Sequence, residues 1–333
     1  MITNSTTLIL GAGASAPVYP TSTELRSKII SGFGAGPYES YLENSREGHD
    51  SGFEKDRYET LKARFQRSHV TSIDAFLAEP ENLPLVSEGH IAIAAALLPC
   101  ESREQYPDWY PALFNAIRFR DNTDRREKLK VVTFNYDLSL EFFLFYAFQN
   151  AYALTAAAAR EMFHANIEVI HVYGELGELR ELSDANDARD YGTDPDRLGP
   201  IIKASKRIKV IGRHDETREA FDRAFDAIRN ASFVAILGYG FDPLNNQNLR
   251  LQDAVADKFP FATGFGMGSG ARARLNSLAH QSSMLMGSKT ENVRAFLEET
   301  DFLSWINEPG AQASDVSRNI MKVFEYGSLP YTR

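Results

Sequence analysis

Short apolar runs that stop abruptly in small or polar residues govern what this chain can fold into. Thr6-Thr-Leu-Ile-Leu10 ends in Gly11-Ala12-Gly13, and residues 131–134 end in Asn135-Tyr136-Asp137. Residues 167–172 end in Tyr173-Gly174, and residues 232–237 end in Gly238-Tyr239-Gly240. Runs of this length, bounded by turn residues, predict strands buried on both faces. Helical text separates them, and a parallel sheet covered by helices on both faces satisfies that order. The expected class is therefore α/β: a Rossmann-like, mainly parallel sheet with helices on both faces and a helical insertion subdomain. Sheets of this kind bind ligands beyond the carboxyl ends of their strands. All four runs carry their glycines, amides and carboxylates there.

The 333 residues read as one domain, 1–333, with residues 38–128 as the helical insertion because no glycine-ended strand occurs in that stretch. Ser22 is placed to cap the first long helix, with Glu24, Leu25 and Ile29 behind it. Residues 87–98 are apolar on most faces and predict a buried helix. Further helices are expected at 138–152, 216–230 and 271–279, further strands at 208–211 and 259–265, and a polar loop or short lid over 178–199.

Each strand end has a chemical reading and a plainer one. A glycine turn between strand and helix, here Gly11-Ala12-Gly13-Ala14-Ser15-Ala16, lets backbone N–H groups approach a pyrophosphate; the plainer reading is a tight turn. Hydride transfer is disfavoured, because the acidic residue expected roughly 20 positions on, after a second strand, has no counterpart around residues 31–40. Asn135 can hold a ribose hydroxyl or a water and Asp137 can accept from a hydroxyl or amide, or both can cap the following helix. His171 and Tyr173 are expected on one face by strand alternation, with His171 as a base or ribose ligand, or as a structural histidine. Gly238 and Gly240 allow a second close backbone approach, while Asp242 is placed to begin the next helix or to join the site.

Taken in order, these motifs resemble those of the sirtuin-like NAD-consuming family, specifically the zinc-free branch found in bacterial anti-phage defence. That branch typically shows a Gly-Ala-Gly-Ala-Ser loop, a Thr-Phe-Asn-Tyr-Asp strand end, a histidine-glycine strand end and a Gly-Tyr-Gly-Phe strand end. The segment Ser72-Ile-Asp-Ala-Phe-Leu77 also looks like a recurrent helix start there. The resemblance spans residues 7 to 272. It implies NAD+ as substrate, with no metal, and hydrolysis of the nicotinamide–ribose bond to nicotinamide and ADP-ribose. It also implies that Gly11, Ala12, Gly13, Ala14 and Ser15 surround the pyrophosphate and neighbouring ribose. Asn135 aligns with the catalytic asparagine and Asp137 with its neighbouring carboxylate; Gly238, Tyr239 and Asp242 fall on the adenosine side. One position departs: the family's histidine before the strand-end glycine is Tyr173 here, with His171 two residues earlier. The resemblance thus carries two expectations, an abortive-infection NAD+ hydrolase or a regulatory subunit that binds NAD+ or ADP-ribose with little turnover. A toxic activity must stay silent until triggered, so the partners it implies are further copies of the chain, a separate sensor protein or an ATPase.

Charge and cysteine content narrow the alternatives. With 36 Lys+Arg against 45 Asp+Glu, the net charge of −9 disfavours direct nucleic-acid binding, although Lys203, Lys206, Arg207 and Lys209 form a local basic run. The single cysteine, Cys100, cannot build the four-cysteine zinc module of sirtuin deacylases, and it suits a reducing cytoplasm. No stretch is expected to span a membrane, and the N-terminal segment does not read as a secretory signal.

Overall fold

The computed structural model describes residues 2–31, 54–118, 127–192, 198–209, 214–267 and 284–314; the helix expected over 271–279 lies outside them. Among the described residues, six strands form one sheet: β1 (Thr6–Leu10), β2 (Leu129–Thr133), β3 (Ile167–His171), β4 (Phe233–Leu237), β5 (Phe261–Ala262) and β6 (Leu285–Met286). Their order is β3-β2-β1-β4-β5-β6 and every neighbouring pair is parallel, the Rossmann-like topology whose order reverses between β1 and β4. Leu10 lies level with both Thr133 and Leu237, and Thr133 with His171, so four strand tails leave the sheet side by side.

Alternation along the strands divides the core. Leu8, Leu10, Val131, Phe233 and Ala235 pack toward one layer, while Ile9, Val132, Val234 and Ile236 pack toward the other. The helices, numbered along the chain, begin with the single turn α1 (Ala12–Ser15). Then α2 (Ser22–Ser31), α3 (Lys55–Ser68), α4 (Ile73–Ala78) and α5 (Val86–Leu97) cover the Ile9 face. The opposite face is covered by α6 (Tyr110–Ile117), α7 (Ser139–Ala151) and α8 (Ala156–Asn166). The stretch expected as an insertion therefore feeds both layers. The Ile9 face is completed by α9 (Leu198–Ser205), α10 (His214–Arg229) and the short α11 (Pro243–Asn248) and α12 (Leu251–Ala254). On the other side, α13 (Val293–Glu299) and α14 (Phe302–Trp305) join α6 and α7. Each fully buried Leu, Ile, Val or Phe in these layers contributes roughly 1.5–3 kcal/mol.

Several expectations need correcting. The strand at 259–265 shrinks to two residues, and Ile208 makes only an isolated bridge to Gly174, with 210–213 outside the described residues. The cap of α2 sits one residue earlier than Ser22: Glu24 accepts from the amide and hydroxyl of Thr21 at 2.7 and 2.8 Å, so the Glu24 carboxylate closes the start of the helix from the first turn. Against the expectation for membrane spans, Pro80–Cys100 does match one in length and hydropathy. Its central helix α5 packs against α2, α3 and α9 and buries nearly every side chain, as a core helix does.

Candidate functional site

The tails of β1, β2 and β4 meet at the point where the strand order reverses. The Asn135 amide nitrogen donates to the Gly11 carbonyl at 3.1 Å and to Ser15 Oγ at 2.9 Å. Ser15 Oγ donates in turn to Asp137 Oδ2 at 2.9 Å. Asp137 Oδ1 accepts from the Ser139 amide at 3.2 Å and from the Ser139 hydroxyl, which is also within 2.8 Å of Tyr110 Oη. Stretches far apart in sequence thus form one continuous polar chain. Both N–H bonds of the Asn135 amide are spent on it, and among the described residues Asn135 Oδ1 meets no donor. Burial raises the Asp137 carboxyl above its usual range, although the Ser139 and Ser15 hydrogen bonds oppose the rise.

The glycine turn is closed against the β4 tail. Gly11 N donates to Leu237 O at 3.0 Å, Gly13 N to Gly238 O at 2.9 Å and Ala14 N to Gly11 O at 2.9 Å. A Cβ on Gly11 would stand 2.6 Å from Gly238 O, and one on Gly238 would stand 2.0 Å from Ala14 N. Gly238 also has φ +59°, so the seam closes only with glycine on both sides. This corrects part of the expectation for a pyrophosphate cradle: the Gly13 and Ala14 amides already have protein acceptors, and the Ser15 hydroxyl faces Asp137. The helix behind the turn is a single turn in which Ala12 is half-buried, Ala14 is buried and the Ala14 carbonyl accepts from Trp109 Nε1 at 2.8 Å.

His171 and Tyr173 do not share a face. β3 ends at His171, and the chain then turns, so alternation stops carrying Tyr173. His171 lies toward α7, with Nδ1 2.9 Å from the Asn135 carbonyl and Nε2 2.6 Å from Glu141 Oε1; Glu175 is 3.9 Å away. Burial lowers its pKa, but the Glu141 charge and hydrogen bond, with Glu175 and the Asn135 carbonyl, outweigh that and raise it to about 9. It is therefore an imidazolium with both nitrogens engaged, not a free base at neutral pH. Tyr173 turns to the other layer, with Phe134 and Phe221, and donates to Asn245 Oδ1. Burial and then the Asp74 charge push its phenol further from ionisation.

The remaining candidates frame that second layer. Tyr239 is buried and donates to Asn246 Oδ1 at 3.1 Å, its ring 4.9 Å from Phe134. Asp242 is exposed and accepts from the Leu244 and Asn245 amides at 3.0 and 3.1 Å, which makes it the cap of α11. Two carboxylates have places at the site that the sequence did not assign them. Glu141 is hidden in the aromatic text of α7, its only signal being a lone acid on an apolar helix. Asp74, at the start of α4, accepts from Tyr136 Oη and from Ser72 Oγ at 3.2 Å, joining the helical layer to the turn that carries Asn135. No protein-family model matches the chain, and no curated protein does.

Proposed function

We propose that the chain is an NAD+ hydrolase that cleaves the nicotinamide–ribose bond, releasing nicotinamide and ADP-ribose. The observation that carries this reading is the fixed Asn135 amide: its nitrogen is held by Gly11 O and Ser15 Oγ, which leaves Oδ1 as an acceptor beside the glycine turn. The strand-order reversal between β1 and β4 supports it, since nucleotides bind at such points, as does the family resemblance of the motifs. In the reaction the C–N bond breaks with both electrons leaving on nicotinamide, water adds to the ribose carbon, and one proton is released. Asn135 Oδ1 accepts a hydrogen bond from that water or from a ribose hydroxyl. Ser15, Asp137 and Ser139 hold the amide in place, and His171 fixes the Asn135 carbonyl from behind. Orientation by such a group is worth about 10²–10³ in rate.

Single-turnover nicotinamide release by the activated assembly, followed by NMR, tests this. Asn135→Ala is expected to lower the rate about 100-fold or more; an unchanged rate removes Asn135 from the chemistry. A second reading, a regulatory subunit that binds NAD+ or ADP-ribose without cleaving it, is favoured by one observation: neither His171 nor Tyr173 is a free base. Saturable NAD+ binding without nicotinamide release, with its assembly partners present, selects that reading. A role as a triggered anti-phage effector, working as a homo-oligomer or with a sensor or ATPase, follows the same family resemblance.

A further inference from the structure

A cavity of about 370 Å³ opens between the 102–106 loop and the outer side of α7. That volume falls within the range of small-molecule sites. Five aromatic residues line it: Tyr106, Phe142, Phe143, Tyr146 and Tyr191. Their rings form two groups. Tyr106 lies 4.7 Å from Phe143, while Phe142 stacks on Tyr191 at 4.1 Å and meets Tyr146 at 4.7 Å. Tyr106 is 41% exposed, one of few large apolar side chains so open among the described residues. Aromatic surface left bare on an aromatic-lined hollow is surface suited to a cover.

The polar groups in the lining indicate what kind of cover. Arg103 is exposed there and, among the described residues, has no carboxylate within ion-pair reach. In a chain with a net charge of −9, a guanidinium with no ion pair among the described residues, beside stacked rings and facing the Glu181 and Asp190 charges only across Tyr146, is suited to an anion. Asn150, also in the lining, donates its amide to Tyr146 O at 2.8 Å, which turns its Oδ1 away from that bond as an acceptor. Glu181 accepts from Tyr146 Oη at 3.4 Å but is not part of the lining. The open ring of Tyr106 over a buried aromatic floor, an edge acceptor and a guanidinium together suit a nucleotide.

We propose that this cavity is a nucleotide-binding site, separate from the glycine turn, that takes the base among the rings and the phosphate at Arg103. It shares a wall with the candidate catalytic corner, since Ser139 lines it and donates to Asp137. The site does not depend on NAD+ cleavage for its existence.

The test is isothermal titration of the full chain with AMP, adenosine and inorganic phosphate, repeated with Tyr106→Ala, Arg103→Glu and Asn135→Ala. Tyr106 and Arg103 are exposed, so both variants keep the packed core. AMP is expected to bind saturably, adenosine more weakly and phosphate weakest. Tyr106→Ala should weaken AMP about 10-fold or more, consistent with loss of one stacking face. Arg103→Glu should weaken AMP by a similar factor and leave adenosine within about twofold. Asn135→Ala should leave AMP binding unchanged. Absence of AMP binding, equal affinity of Tyr106→Ala and the parent for AMP, or a loss confined to Asn135→Ala would each overturn the proposal.

Discussion

On one face of the sheet rim, His171 lies as an imidazolium between Glu141 and the Asn135 carbonyl, and Asp137 is held by two serine hydroxyls. On the other face, Tyr136, Tyr173 and Tyr239 are phenols that each donate to a side-chain oxygen: Asp74, Asn245 and Asn246. Burial drives all three phenols away from ionisation, whereas a carboxylate neighbour keeps the imidazole charged. The same strand tails therefore border a paired imidazolium and carboxylate on the α7 side, and on the other side un-ionised phenols that hydrogen-bond to Asp74 and to two side-chain amides. Buried charge must be paired where it stands, so the α7 side is the less tolerant of change.

That contrast can be broken by substitution. Glu141→Ala should have the largest effect, leaving a buried imidazolium without its main partner and costing about 3–5 kcal/mol. The lower end is expected because Glu175 stands 3.9 Å from His171 Nε2; urea unfolding at neutral pH measures it. Next comes pH. His171 is raised to about 9, so its stabilising contribution is complete below the ordinary histidine range and is lost as pH rises through about 9. Unfolding free energy should therefore fall between about pH 6.5 and pH 9. His171→Gln should flatten that part of the profile; an equal slope in the variant would assign the loss to other groups. The smallest effect is expected from Tyr173→Phe, at about 0.5–1.5 kcal/mol for one neutral hydrogen bond. Nicotinamide release should survive that change, and a fall of about 100-fold would move Tyr173 into the chemistry.

Strands β1 and β4 were legible because five consecutive buried residues followed by glycine leave few alternatives, and β2 because its apolar run from Val131 stops at Asn135. β5 was legible in place but not in extent, Phe261–Ala262 being all that forms of the run at 259–265, and β6 was not legible, since two residues carry no periodicity. Helix α8 had a readable start, Thr155 accepting from Ala158 N at 3.2 Å, but its alanine-rich text lacks a strong apolar stripe. The meeting of Gly11, Ser15, Asn135 and Asp137 followed from topology, because parallel strands deliver their tails to one edge. The direction of Tyr173 did not, because alternation holds only within a strand and β3 ends at His171. The glycines were legible as a close approach, but the partner they approach, each other's backbone, depends on register that no local pattern contains.

The Gly238 carbonyl accepts the Gly13 amide at 2.9 Å, a position in which a phosphate oxygen would otherwise serve. A turn that brings its own acceptor has no need of a small molecule to complete it during biogenesis. The shape of the turn is set by the chain's own backbone, glycine against glycine.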